Sequence, residues 1–141
     1  MTKNLDKEGL SSIVDNYQLF YVDLWGVVHN GVHLHDEAIK ALKGITNKGK
    51  DYVLLTNAPR PNNAVKSFLE KLGMEKEIRD HVFTSGEAAL TYLKKNLLNK
   101  SFFHIGSLRD FDLFKDFEEM KSDQFEKSDY ILCTGLFDNH H

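Results

Sequence analysis

Leu19-Phe20-Tyr21-Val22-Asp23-Leu24-Trp25-Gly26-Val27-Val28 is the stretch on which the reading of this chain turns. Leu19 to Val22 is a run of aromatic and branched side chains, which predicts a buried strand. The run ends in a carboxylate, Asp23. Gly26 follows, a residue type that lets the backbone come close to a ligand. A second stretch repeats the arrangement, with Tyr52-Val53-Leu54-Leu55 as a strand running into Thr56-Asn57. Pro61 then suits the first turn of a helix, whose N-terminal N–H groups favour an anion. In open α/β sheets the ligand crevice lies beyond the carboxyl ends of the strands. A carboxylate beside an anion site makes little sense as packing. It makes sense as a nucleophile toward a phosphoryl group, with a metal ion suppressing the charge repulsion.

Outward from these two stretches, short apolar runs alternate with helical patterns. Glu37 to Lys48 carries a stripe of Ala38, Ile39, Ala41, Leu42 and Ile45, closed by Gly49. After Pro61, a second stripe of Ala64, Val65, Phe68, Leu69 and Leu72 stops at Gly73. His81 to Thr84 reads as a third strand, Glu87 to Leu98 as a helix, Phe102 to Ile105 as a fourth strand and Tyr130 to Cys133 as a fifth. Leu108 to Glu119 reads as helical. Such alternation predicts an α/β fold with a Rossmann-like, mostly parallel sheet covered by helices. There is no repeat and no low-complexity tract; the most polar stretch after the third strand, Asn96 to Ser101, marks a boundary near Asn99.

Composition narrows the function classes. The 141 residues suit about one domain, and 41% hydrophobic with 28% charged residues is a globular balance. A net charge of -3 argues against nonspecific nucleic-acid binding; Lys94, Lys95 and Lys100 read as a solvated helix face. Cys133 is the only cysteine, so no intrachain disulfide can form. Its apolar surroundings predict a small buried hydrophobe rather than a nucleophile. The polar N-terminus has no signal-peptide core, and no apolar run reaches the ~20 residues of a membrane span, so a soluble cytoplasmic protein is expected.

Asp23-Leu24-Trp25-Gly26-Val27-Val28-His29-Asn30-Gly31, Leu54-Leu55-Thr56-Asn57-Ala58-Pro59-Arg60 and Thr84-Ser85-Gly86-Glu87-Ala88 occur in that order and spacing. Together they resemble the haloacid dehalogenase (HAD) superfamily, and within it the class IIA branch of NagD-like and pyridoxal-phosphate-phosphatase-like enzymes. The resemblance runs from Tyr17 to Asp138. It implies an incomplete HAD core over residues 1–98 and the beginning of an α/β cap domain over 99–141. It also implies a phosphatase dependent on Mg2+ that acts on a small phosphorylated metabolite. In that scheme Asp23 is the nucleophile, forming an aspartyl-phosphate, and one metal ligand. The backbone carbonyl of Trp25 is a second metal ligand. Thr56 bonds a phosphoryl oxygen, and Gly26 and Asn57 help hold the phosphate.

Two departures qualify this picture. Trp25 stands where the family has a second aspartate, the general acid/base, whose loss costs roughly 100- to 10,000-fold in rate. The family's later lysine and acidic metal ligands fall beyond the cap that this chain only begins, so the isolated chain is expected to be inactive. A non-catalytic binding protein on the same fold is therefore the alternative; a dehalogenase comes third. If the missing half flanks Leu19 to Val22, that strand becomes an edge, and self-association through it is expected. Taken alone, Asp23 would read as a turn residue and Thr56 or Asn57 as strand-end polar groups. Ser85 reads as a helix N-cap, Arg60 as a solvated loop residue, and His29, His33 and His35 lack the fixed spacing of a metal site.

Overall fold

The structure, a computed structural model, describes residues 5–135. Two compact units divide it: one runs through Thr56 and includes Lys66–Phe83, and the other comprises Asn57–Val65 and the chain from Thr84 onward. Both contain parallel β-structure, as the alternating pattern implies.

In the first unit a short helix α1 (Leu5–Glu8) and two 3-10 turns precede β1 (Leu19–Asp23), α2 (Asp36–Asn47) and β2 (Asp51–Thr56). Next come α3 (Asn62–Lys71), in which the unit boundary falls, α4 (Lys76–Arg79) and β3 (Val82–Thr84). The sheet order is β1-β2-β3. β1 and β2 are parallel, from Leu19 opposite Asp51 to Asp23 opposite Leu55. A parallel pair needs a crossover, and α2 supplies it. Asp36 and Glu37 lie in the first turn of α2, at the positive end of the helix dipole. Its end is set by Gly49, whose N–H bonds the Thr46 carbonyl at 2.8 Å and whose φ of +68° suits glycine. Leu42 and Ile45 from α2, Tyr52 and Leu54 from β2, and Leu69, Met74 and Ile78 are all buried. Each such side chain stabilises the fold by about 1.5–3 kcal/mol.

β1 is not the fully buried strand its composition predicts. It stands at the sheet edge, with Leu19 44% and Tyr21 69% exposed while Phe20 and Val22 are half-buried. With one neighbouring strand and one open face, side chains alternate between cover and solvent, so apolar content alone did not report burial.

In the second unit α5 (Ser85–Asn96) precedes β4 (Phe102–Ile105) and β5 (Tyr130–Cys133), which pair in parallel as a separate two-stranded sheet. The core gathers around Phe102, which is fully buried: Phe114, Phe117 and Tyr130 lie 5.4, 5.7 and 5.7 Å from it, and α5 adds Leu90 and Leu93. The helix expected over Leu108 to Glu119 is instead two 3-10 segments, Leu108–Leu113 and Lys115–Met120. The backbone leaves helical geometry at Phe114 (φ -129°) and Phe117 (φ -139°). Cys133 is exposed rather than buried. Strand alternation accounts for this, because Leu132 takes the core side and its neighbours take the other. Among the described residues no helix is long and apolar enough to cross a membrane.

Candidate active site

Because β1 and β2 are parallel, their last residues reach the same end of the sheet. Asp23 pairs with Leu55, which puts Thr56 one position further on. From a strand spacing near 4.8 Å and a rise near 3.3 Å, their Cα atoms lie about 6 Å apart. Asp23 is exposed, and its Oδ1 accepts the Leu24 N–H at 2.8 Å; Thr56 is half-buried.

The loop that follows is held by its own backbone. The buried Leu24 offers its carbonyl to the N–H groups of Val28 (2.9 Å) and His29 (3.2 Å), and Gly26 N–H donates to the His29 carbonyl at 2.8 Å. Gly26 has φ +76°, which a side chain would strain. Asn30 Oδ1 accepts from the N–H groups of Val32 and His33, both at 3.0 Å, an Asx turn that reverses the chain. At Gly31 (φ +90°) an added Cβ would stand 2.8 Å from Cη2 and Cζ3 of Trp25, so the outer edge of the indole's six-membered ring abuts this glycine. The ring also meets the His29 imidazole edge-on, at 5.6 Å and 88°, and His29 in turn meets Phe68 at 5.5 Å. Trp25 nevertheless remains 66% exposed.

His29 is buried, and its Nδ1 accepts the Gly31 N–H at 3.0 Å, which leaves the ring proton on Nε2. Burial holds its pKa below the ordinary value; His35 pushes the same way, and the nearby Asp23 carboxylate opposes both. His29 therefore packs as a neutral ring.

The oxygens of Asp23 and the Trp25 main chain are hard donors of the kind Mg2+ takes, and one or two carboxylates with water are its usual protein ligands. Asp23 keeps its second oxygen clear of the Leu24 bond. The Trp25–His29 bridge runs through Leu24 and Gly26, so it does not use the Trp25 carbonyl. These two donors fit the ion. Among the described residues no group of three His, Cys, Asp or Glu side chains could hold a metal, the loop histidines included. A cavity of about 350 Å³ lined by Leu10, Val14, Lys40 and Ile45 contains none of Asp23, Trp25 or Thr56 in its wall.

Asn57 is exposed and opens the second unit. There the loop after it is clamped onto the start of α5. Ala58 carbonyl accepts the Gly86 N–H (3.1 Å) and the Ser85 hydroxyl (3.0 Å), and Arg60 carbonyl accepts the Thr84 hydroxyl (2.5 Å). Asn62 N–H donates to Glu87 Oε2, and Asn62 Oδ1 accepts the Thr84 N–H, both at 2.9 Å. Thr84, not Ser85, caps α5, its hydroxyl accepting the Glu87 N–H at 2.9 Å. Ser85 is one residue too late for that bond and turns to the loop instead. Arg60 is less solvated than its loop position predicts: it is half-buried, 4.0 Å from the buried Asp110 carboxylate. Asp110 had no mark in the sequence, lying in a polar stretch far from either loop.

The sequence profile described as haloacid dehalogenase-like hydrolase matches residues 20–119. A phosphoglycolate phosphatase 2 of Arabidopsis thaliana is 36% identical over 98 residues, which cover 65% of this chain and 31% of that protein. Among solved structures, a haloacid dehalogenase-like hydrolase from Brucella suis 1330 aligns with TM-score 0.77 and 32% identity, over 92% of this chain and 46% of that one. A putative nagD protein shares the fold at TM-score 0.67 and 21% identity, over 86% of this chain and 47% of its own. The chain thus spans about a third to a half of the length of these relatives.

Proposed function

This chain belongs to the haloacid dehalogenase-like hydrolases, and from that premise we propose that it carries the nucleophile half of a Mg2+-dependent phosphatase for a small phosphorylated metabolite. The observation that carries the reading is the β1–β2 register, which brings Asp23 and Thr56 to adjacent strand ends. An Asp23 oxygen attacks phosphorus, the ester P–O bond breaks, and the aspartyl-phosphate formed is then hydrolysed by water. Thr56 donates to a phosphoryl oxygen, the bare Cα of Gly26 permits close approach, and the Asn57 backbone helps hold the phosphate. The Asp23 carboxylate and the Trp25 carbonyl would hold Mg2+, which supplies charge neutralisation between the carboxylate and the phosphoryl oxygens. Residues 1–98 are read as the first half of the core and 99–141 as the start of the cap, in a cytoplasmic protein.

The chain alone is proposed to be inactive, since Asp23 and Thr56 make only part of the charge-stabilising shell. A panel of phosphate esters with Mg2+ tests this on the 141-residue chain and on any longer form the gene encodes. The expected result is turnover in the longer form, abolished by Asp23→Asn, and none in the short chain. Turnover by the short chain that Asp23→Asn removes would overturn its inactivity; turnover in a longer form indifferent to Asp23→Asn would overturn the nucleophile. A second reading, a non-catalytic binding protein, is favoured by Trp25, which has no proton to give a leaving group. It predicts phosphate binding without turnover in every form.

A further inference from the structure

We propose that the segment Thr84-Ser85-Gly86-Glu87 positions the phosphate-binding loop, with Ser85 and Glu87 as positioning residues that act through the Asn57 backbone. This deepens the phosphatase reading above and rests on it. The loop runs Asn57-Ala58-Pro59-Arg60-Pro61, and both of the chain's prolines stand in it. Proline fixes its own φ and has no N–H, so the stretch is stiff but short of donors, and its carbonyls are what a neighbour can grip. The start of α5 grips them. The Ser85 hydroxyl and the Gly86 N–H both donate to the Ala58 carbonyl, one residue beyond Asn57. The Thr84 hydroxyl donates to the Arg60 carbonyl, and Glu87 Oε2 accepts the Asn62 N–H at the loop's far end. Gly86 lets the two come this close, since a Cβ there would meet the Arg60 main chain at 2.3 Å.

The helix could have been finished without the loop. A Thr-x-x-Glu box closes on itself when the Glu carboxylate accepts the N–H of the capping residue. In this chain Thr84 N–H donates instead to Asn62 Oδ1, and the Glu87 carboxylate accepts the Asn62 N–H, both at 2.9 Å. Thr84 Oγ1 still caps α5 through the Glu87 N–H. A contact that closes locally in such a box is thus exchanged for two that reach 22 and 25 residues back to the loop. Glu87 stands in the first turn of α5 and meets the first residue of α3, so one carboxylate serves the positive ends of two helices. The chain's own anion therefore occupies an N–H that opens α3, and the phosphate is left to Thr56 and the Asn57 backbone. A backbone that must meet phosphoryl oxygens works best when it is fixed beforehand.

The experiment titrates the 141-residue chain, in Mg2+, with inorganic phosphate and follows the Thr56 and Asn57 amides by NMR. Two double variants change the same two positions. Ser85→Ala with Glu87→Asp removes the hydroxyl and draws the carboxylate back from Asn62 while keeping its charge. Ser85→Thr with Glu87→Gln keeps a hydroxyl and a side-chain oxygen at the same reach without the charge. The first is expected to bind phosphate about 5- to 30-fold more weakly, since a loop residue must then be ordered on binding. The second is expected to stay near wild type. Ser85→Ala or Glu87→Asp alone should lose less, with the same sign and a shifted Asn57 amide before phosphate is added, so the test survives a double variant that does not fold. Equal losses in the two double variants, or none in the first, would overturn the positioning role while leaving the phosphate site standing. If the wild-type chain binds no phosphate, or if Thr56→Val leaves its affinity unchanged, the phosphate site is wrong and the positioning role falls with it.

Discussion

Gly86→Ala should destabilise the chain although it places the best helix former inside a helix. Built on the Gly86 backbone, a Cβ would lie 2.3, 2.4 and 2.6 Å from the N, O and C atoms of Arg60. Carbon atoms pack at about 3.5–4.0 Å, and the obstacle is main chain rather than a movable side-chain tip. The loop must therefore retreat by about 1 Å or more. That carries the bonds from Gly86 N–H and the Ser85 hydroxyl to Ala58, and from the Thr84 hydroxyl to Arg60, out of range. Three bonds at about 1 kcal/mol each give a loss of about 3 kcal/mol. Alanine returns about 1 kcal/mol of helix propensity, which leaves a net loss near 2 kcal/mol, or roughly 8 °C in Tm. Gly44→Ala is the control, since it too lies in a helix but its added Cβ meets nothing within 4 Å. It should stabilise by about 0.5–1 kcal/mol. Urea unfolding of both variants decides the matter. A Gly86→Ala chain as stable as Gly44→Ala would refute the close approach of loop and helix.

The buried His29 sets a pH dependence. Its pKa is lowered on folding, so its contribution to stability is full above the unfolded value of about 6.5 and is lost as pH falls through the lower folded value. Unfolding free energy should drop on acidification below about 6.5, and an NMR titration of the His29 ring should show its midpoint below that of a free imidazole; a midpoint above it would contradict the burial argument. The edge strand β1, with Leu19 and Tyr21 exposed and no charge between Tyr17 and Val22, should mediate self-association at high concentration. Sedimentation should show a concentration-dependent rise in mass that Tyr21→Lys suppresses; a monomer at every concentration would remove the idea.

What was legible in the sequence follows from how locally each feature is determined. β4 and β5 begin and end where the runs Phe102–Ile105 and Tyr130–Cys133 do, because polar residues bracket compact apolar segments. Asp23 and Thr56 could be paired in advance because a parallel β-α-β unit brings strand ends together whatever the intervening side chains. The N-cap of α5 is also written in the chain, as Thr84-x-x-Glu87 with capping-box spacing, and the capping threonine is at once the last residue of β3. The segment from Leu108 to Met120 went astray for a related reason. Phe111, Phe114 and Phe117 recur every three residues, the period of a 3-10 turn rather than the 3.6 of an α-helix. Phe114 and Phe117, the two residues at which the backbone leaves helical geometry, both meet Phe102. Cys133 reads as buried and is exposed, because an all-apolar strand does not say which face is covered.

The Trp25–Gly31 contact belongs to a different category. Nothing in residue type or spacing marks a glycine as the seat of a ring six positions away. The contact exists because Gly26 and Gly31 take positive φ and the Asn30 side chain turns the chain between them. In sequence, Trp25 is only a missing carboxylate. In three dimensions its ring meets Gly31 and the His29 imidazole and stays 66% exposed.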